Sequence, residues 1–326
     1  MCKRVGQFLI ALSVALTAWG VAIPTAPDRA QAGQTKDAKD KTASKDKEAK
    51  PKVDPEKLKP DPATVKAQIQ SLSEYHKEVF EVEKVPLIEK PHFLVVGAIP
   101  SASSGGIGDE LEVAYAKACK SLKIDKDPGP WPGKLSILLV PDARKYAQMI
   151  RVSQRRRADE EETSSHSIDS TVPQVVVCPS KGPGELNVGA TCCVQMGALL
   201  IDYKAKGRTP GWLSEGFGRA TALQVIGSTA LAVERRKAAI YITTNKRTAN
   251  DVFTSNLKAE ELLTLRGSLV EYLAYSGRTE KFLPLIDGFA DDGKGNPGNL
   301  TSALKNANTT TDELTKNWTN YAKAFK

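Results

Sequence analysis

Hydrolysis at zinc asks a sequence for two histidines four residues apart on one helical face, a glutamate between them as general base, and a third ligand from a neighbouring helix. The chain holds three histidines, His76, His92 and His166, and no two fall at that spacing. The stretch with the densest chemistry is residues 191–220, TCCVQMGALLIDYKAKGRTPGWLSEGFGRA, where three sulfur-bearing side chains, Cys192, Cys193 and Met196, precede a carboxylate, Glu215. Val188, Cys192, Met196, Leu199 and Leu200 recur at intervals of one to four residues, a pattern of helical packing in which unreactive Cys and Met serve as core residues. Glu215 stands four residues before Arg219, the favourable order for an ion pair along a helix, and a buried carboxylate needs a partner.

Other residue clusters carry less. His166 lies among Ser164, Ser165, Ser167 and Asp169, but a triad is oriented by a fold rather than gathered in a polar loop, and no GxSxG elbow occurs; a solvated loop is the expectation. SASSGGIG, residues 101–108, follows a strand pattern and precedes a helix pattern, yet lacks the lysine and spacing of a phosphate loop, so a plain turn is expected. RVSQRRR followed by DEEE reads as a loop of opposed charges that pair with each other or with water.

The elements that must position these residues can be read from periodicity. Val65, Ile69, Leu72, Tyr75 and Val79 recur at helical spacing; HFLVVGAI and GKLSILLVP read as strands around a helix, DELEVAYAKACKSLKI; DARKYAQMIRVSQ reads as a helix capped by Asp142; PQVVVCP reads as a third strand. From about Leu186 onward the pattern is helical throughout, ending in TTDELTKNWTNYAKAF with Leu314 and Trp318 as anchors. Strands first and helices later predict an α+β fold, a sheet-bearing part over about 61–185 and a helical part over about 186–326, with a cleft where they meet.

The N-terminus speaks to the compartment. A basic start, an apolar run to about residue 23 and the small-x-small pattern Ala30-Gln31-Ala32 read as a signal peptide over 1–32, with an uncleaved membrane anchor as the alternative. Residues 33–60 mix Lys with Asp and Glu, carry several prolines and almost no large apolar residue, the composition of a disordered tether. The formal net charge of +8 owes part of its excess to this segment, which removes the argument for nucleic acid as a partner. The expected location is the periplasm, the cell envelope or the exterior, with membrane attachment only through a retained signal. Once Cys2 leaves with the signal, Cys119, Cys178, Cys192 and Cys193 remain; oxidising conditions allow a disulfide from Cys178 to Cys192 or Cys193, and the absence of any CxxC excludes a zinc ribbon or thioredoxin-like motif.

The order of these elements, together with PGWLSEGF at residues 210–217, resembles the peptidase-MA-like gluzincin metallopeptidases from about Pro62 to the C-terminus. In that family the third-ligand glutamate follows an HExxH helix by about twenty residues. The resemblance implies Glu215 as the former third ligand and, matched through the apolar GALL, places Cys192 and Met196 at the two histidine positions and Cys193 at the general base, so that CCVQM stands for HExxH. Met196 is a poor zinc ligand and Cys193 no carboxylate base. The expectation is therefore a gluzincin-like α+β fold with its zinc lost, no cofactor, no catalytic residue and a former active-site cleft that binds a peptide or protein segment along QVVVC as the sheet edge. The competing expectations are an active zinc peptidase with a ligand set including Cys192 and Glu215, and a structural envelope domain.

Overall fold

The structure, a computed structural model, describes residues 60–80, 86–97, 101–127, 129–168, 173–179, 185–226, 229–277 and 279–326. Residues 1–59, read as a signal peptide and most of a Lys-rich tether, lie outside the described residues.

Three strands form the centre of the sheet because their sequences are apolar on both sides. β2 (Phe93–Gly97), β3 (Leu135–Leu139) and β5 (Gln174–Val177) run parallel, and every residue in them is buried. Parallel strands covered on both faces read as near-continuous apolar runs, as these do apart from Ser136 and Gln174. Two short antiparallel strands close the edges, β1 (Leu87–Glu89) against β2 and β4 (Ser164–Ser167) against β5, giving the order β1-β2-β3-β5-β4.

Period-two alternation divides the side chains between two cores. Leu94, Val96, Leu138, Val140, Val176 and Cys178 face α1 (Pro62–Phe80) and α3 (Ala143–Gln154), where Val65, Leu72, Val79, Tyr146, Met149 and Ile150 meet them. Phe93, Val95, Ile137, Leu139, Val175 and Val177 face α2 (Ser101–Leu122) and the helical part of the chain. α3 begins at Asp142 as expected, its side chain accepting a hydrogen bond from the Lys145 backbone N–H at 2.9 Å.

Helices α4 (Val188–Lys204), α5 (Gly211–Leu223), α6 (Thr229–Thr243), α7 (Ala249–Thr254), α8 (Ala259–Tyr275), α9 (Thr279–Ala290), α10 (Leu300–Asn306) and α11 (Thr311–Ala322) follow the last strand. The architecture is thus the expected α+β class. α4 and α5 approach closely because two glycines face each other: a Cβ on Gly197 would stand 2.9 Å from the Gly218 Cα, and one on Gly218 would overlap the Val194 carbonyl oxygen. α11 is anchored as its sequence predicts, with Leu314 and Trp318 buried and the Trp318 indole N–H donating to Ser268 Oγ at 3.1 Å.

Three expectations about elements are corrected. The glycine-rich stretch at 101–108 is the first part of α2 rather than a turn. The polar run after α3 is not all loop, since Ser164–Ser167 form β4. QVVVC is interior, flanked by β3 and β4, so the sheet edge on this side belongs to β4. Among the described residues no helix is long and apolar enough to cross a membrane.

Candidate functional site

A cleft of about 1570 Å³ opens where β4 and α4 meet α5, α6 and α8. This exceeds the roughly 300–1,000 Å³ of small-molecule sites and has the size of a site for a length of chain. One wall is β4 with the face of α4 that carries Thr191, Val194, Gln195 and Ala198; the facing wall includes Ser214, Glu215 and Arg219 of α5, Val233 and Glu234 of α6, and Leu263 and Arg266 of α8.

β4 is held to α4 through one histidine. His166 Nδ1 lies 2.7 Å from Gln195 Oε1, and its Nε2 lies 2.9 Å from Asp202 Oδ2, about two turns further along the same helix. The Gln195 amide then donates to Ser164 Oγ at 2.8 Å. Both ring nitrogens are engaged by α4, so His166 fixes the strand on the helix rather than presenting a ring nitrogen to the cleft. Ser165, on the opposite face, bonds to Arg156 and Gln154 instead, which separates it from the histidine and removes a Ser-His-Asp arrangement. His166 was expected in a solvated loop; it is half-buried in the edge strand.

The outer side of β4 has no partner strand among the described residues. The Cys178 N–H donates to the Thr163 carbonyl at 2.8 Å, which makes that pair, and by alternation Ser165 with Val176 and Ser167 with Gln174, the hydrogen-bonded pairs. The N–H and C=O groups of Ser164 and His166 therefore turn to the other edge. No described strand pairs there, and Ser164 and His166 line the cleft.

The positions assigned to a former metal site do not converge. Cys192, Cys193 and Met196 are fully buried in the core between the sheet and the helices, whereas Glu215 is part-exposed in the cleft. The helical phase differs by one residue from the expected one: the pair four residues apart that faces the cleft is Thr191 and Gln195, not Cys192 and Met196. Glu215 pairs with Arg266 of α8, whose Nη1 is 2.7 Å from Oε2, rather than with Arg219. Arg219 reaches across to Glu234 on α6 at 2.8 Å. An ion pair between helices won over one along a helix because α5 is packed on α8 through Gly216, where a Cβ would stand 2.6 Å from the Arg266 carbonyl oxygen.

Burial raises the Cys192 thiol well above its usual range, reinforced by neighbouring Cys193 and the Glu110 carboxylate, and burial with Glu110 pushes Cys193 up to about 12. Neither offers a thiolate to the cleft at neutral pH. Among the described residues no three His, Cys, Asp or Glu side chains stand close enough to hold a metal ion. Threonine, an amide and a guanidinium-paired carboxylate are not a zinc set, so the residues present do not fit the metal that the resemblance implies.

The expected disulfide is likewise absent. No disulfide joins any two of the four described cysteines: Cys178 packs against α1 and α3 while Cys192 and Cys193 lie in the core on the other face of the sheet. Cys178 continues β5 one residue past Val177, and alternation turns it away from α4.

Two groups that sequence patterning did not mark shape the surroundings. His92 sits between Glu112, at 2.6 Å from Nδ1, and Asp127, at 3.0 Å from Nε2. Burial works against its charge, but hydrogen bonds and charge from the two carboxylates outweigh it, so the pKa of His92 is raised. Glu271 of α8 is buried beside Arg235 at 2.6 Å, with burial pushing its carboxyl up against the pull of that guanidinium, Tyr321 and Gln224. His76 lies on α1, none of whose described residues lines the cleft. The sequence matches no protein-family model and no curated protein.

Proposed function

We propose that this chain is an exported, non-catalytic relative of the gluzincin peptidases that binds an extended peptide or protein segment in the cleft, by pairing it with the outer edge of β4. The observation that carries the reading is the outer edge of β4 at Ser164 and His166, which no described strand pairs, along a cleft large enough for a chain segment. An edge strand with a free ladder is a template for an added strand, and main-chain bonds supply affinity whatever the sequence of the guest.

The absence of catalysis is supported by side-chain chemistry. The cleft face of α4 offers Thr191 and Gln195 where the family has ligand and base, and the one carboxylate at the family's third-ligand position is bound to Arg266. Conversion of this helix into core and clamp explains what its residues do now: Cys192, Cys193 and Met196 pack, and Gln195 and Asp202 hold the strand that receives the guest.

The test is a mixture of eight- to twelve-residue peptides incubated with the full chain, with and without added zinc, followed by fluorescence anisotropy and mass spectrometry. The expected result is saturable binding with every peptide recovered intact. Cleavage that requires zinc and disappears in Glu215→Gln would establish the competing peptidase reading, and absence of binding to any peptide would leave the structural-domain reading.

A further inference from the structure

Resting on that reading, we infer that the guest is basic: an extended segment with lysine or arginine at alternate positions and an apolar side chain between them. The cleft and its free strand edge make the site; the charges on its walls select what enters. The described residues that line it include six glutamates, three Lys or Arg cations and His166. Each cation is already neutralised by one of those glutamates, Arg219 by Glu234 at 2.8 Å, Lys237 by Glu260 at 2.8 Å and Arg266 by Glu215 at 2.7 Å.

The surplus is negative and lies on the side of β4. Glu110 and Glu161 line the cleft, are exposed, and form no ion pair with any described cation. Glu110 lies against Gly189 in the first turn of α4, where the helix dipole offsets part of its charge, and Glu161 has no such partner. A strand laid along β4 directs alternate side chains to the same face, so a period of two in the guest brings successive cations to one wall. The chain as a whole is strongly positive, and a negative cleft on a positive molecule is a local field that favours a cationic guest over an anionic one.

An apolar shelf completes the specification. Val225, Ile226, Val233 and Leu263 line the cleft from α6, α8 and the turn after α5, and Val233 is 41% exposed, a large share for a valine. A guest side chain of leucine size placed there removes that surface from water.

The experiment measures fluorescence anisotropy of two labelled ten-residue peptides on the full chain, one with lysine at alternate positions around a central leucine, the other with glutamate replacing lysine. The lysine peptide is expected to bind at least about tenfold more tightly, with affinity falling as salt rises. Glu161→Gln combined with Glu110→Gln should weaken it about five- to tenfold, each exposed pair accounting for a few-fold, while circular dichroism of the variant stays that of the parent. Equal binding of both peptides, or no change in the double variant, overturns the basic guest and leaves the peptide-binding reading standing; failure of both peptides to bind overturns both. Carbodiimide cross-links from Glu161 to the chain's own lysines between positions 36 and 59, formed without added peptide, would make the N-terminal segment the occupant and overturn the proposal of a separate guest.

Discussion

Gln195 joins three things at once, His166 at 2.7 Å, Ser164 at 2.8 Å and, through His166, Asp202. Its replacement by alanine leaves the histidine Nδ1 and the serine hydroxyl without their partner, and should cost about 1–2 kcal/mol. The expected signature is local: in Gln195→Ala the amides of β4 exchange faster while those of β2 and β3 are unchanged. His92 gives a prediction of a different kind. Its folded pKa is raised above the usual 6.5, so the charged ring stabilises the fold fully below that value, and the contribution disappears as pH rises through the higher folded value. Urea midpoints measured from pH 5.5 to 8.5 should therefore fall with rising pH in the parent and fall less in His92→Gln. The sequence showed His92 only as a residue ahead of a strand, because Glu112 and Asp127 come to it from 20 and 35 positions away. His166 was equally opaque: its partners sit on a helix that reads as core.

At the scale of elements, the closeness of α4 to α5 and of α5 to α8 shapes the cleft, and glycines permit it. Gly218→Ala places a methyl against the Val194 carbonyl and should destabilise by about 2–3 kcal/mol or more, since the neighbour is backbone and cannot swing aside. Gly106→Ala in α2 is the control, with nothing within 4 Å of the new carbon; helix propensity alone should make it stabilising by about 0.5–1 kcal/mol. Thermal unfolding of the two variants checks both signs. Elements whose side chains must be apolar on both faces were legible in the sequence, as were Asp142 as a cap and Leu314 and Trp318 as anchors. β4 was not, because an edge strand has one neighbour and need not be apolar, and SSHS has no strand pattern to read. The phase of α4 was misread by one residue for the opposite reason: from Ala190 to Ile201 only Thr191 and Gln195 escape burial, and a helix apolar nearly all round gives no stripe from which to read its orientation.

For the molecule as a whole, two cores on either side of one sheet join the α1 and α3 layer to the helical part. Buried Glu271, paired with part-exposed Arg235, ties α6 to α8. Arg235→Met removes the counter-charge from a buried carboxylate and should cost about 3–5 kcal/mol, seen as a lower midpoint in urea with an unchanged slope. The fold class and the division into sheet and helices followed from patterning, and so did a cleft at their junction. The disulfide did not, because pairing Cys178 with α4 ignores which face of the sheet each cysteine occupies. The central claim is that a guest adds to β4, and amide hydrogen exchange on Ser164 and His166 tests it most directly. With a saturating lysine-rich peptide, exchange at these two amides should slow by at least about tenfold while Ser165 and Ser167, already paired with β5, change little; unchanged exchange at Ser164 and His166 under saturation would contradict it.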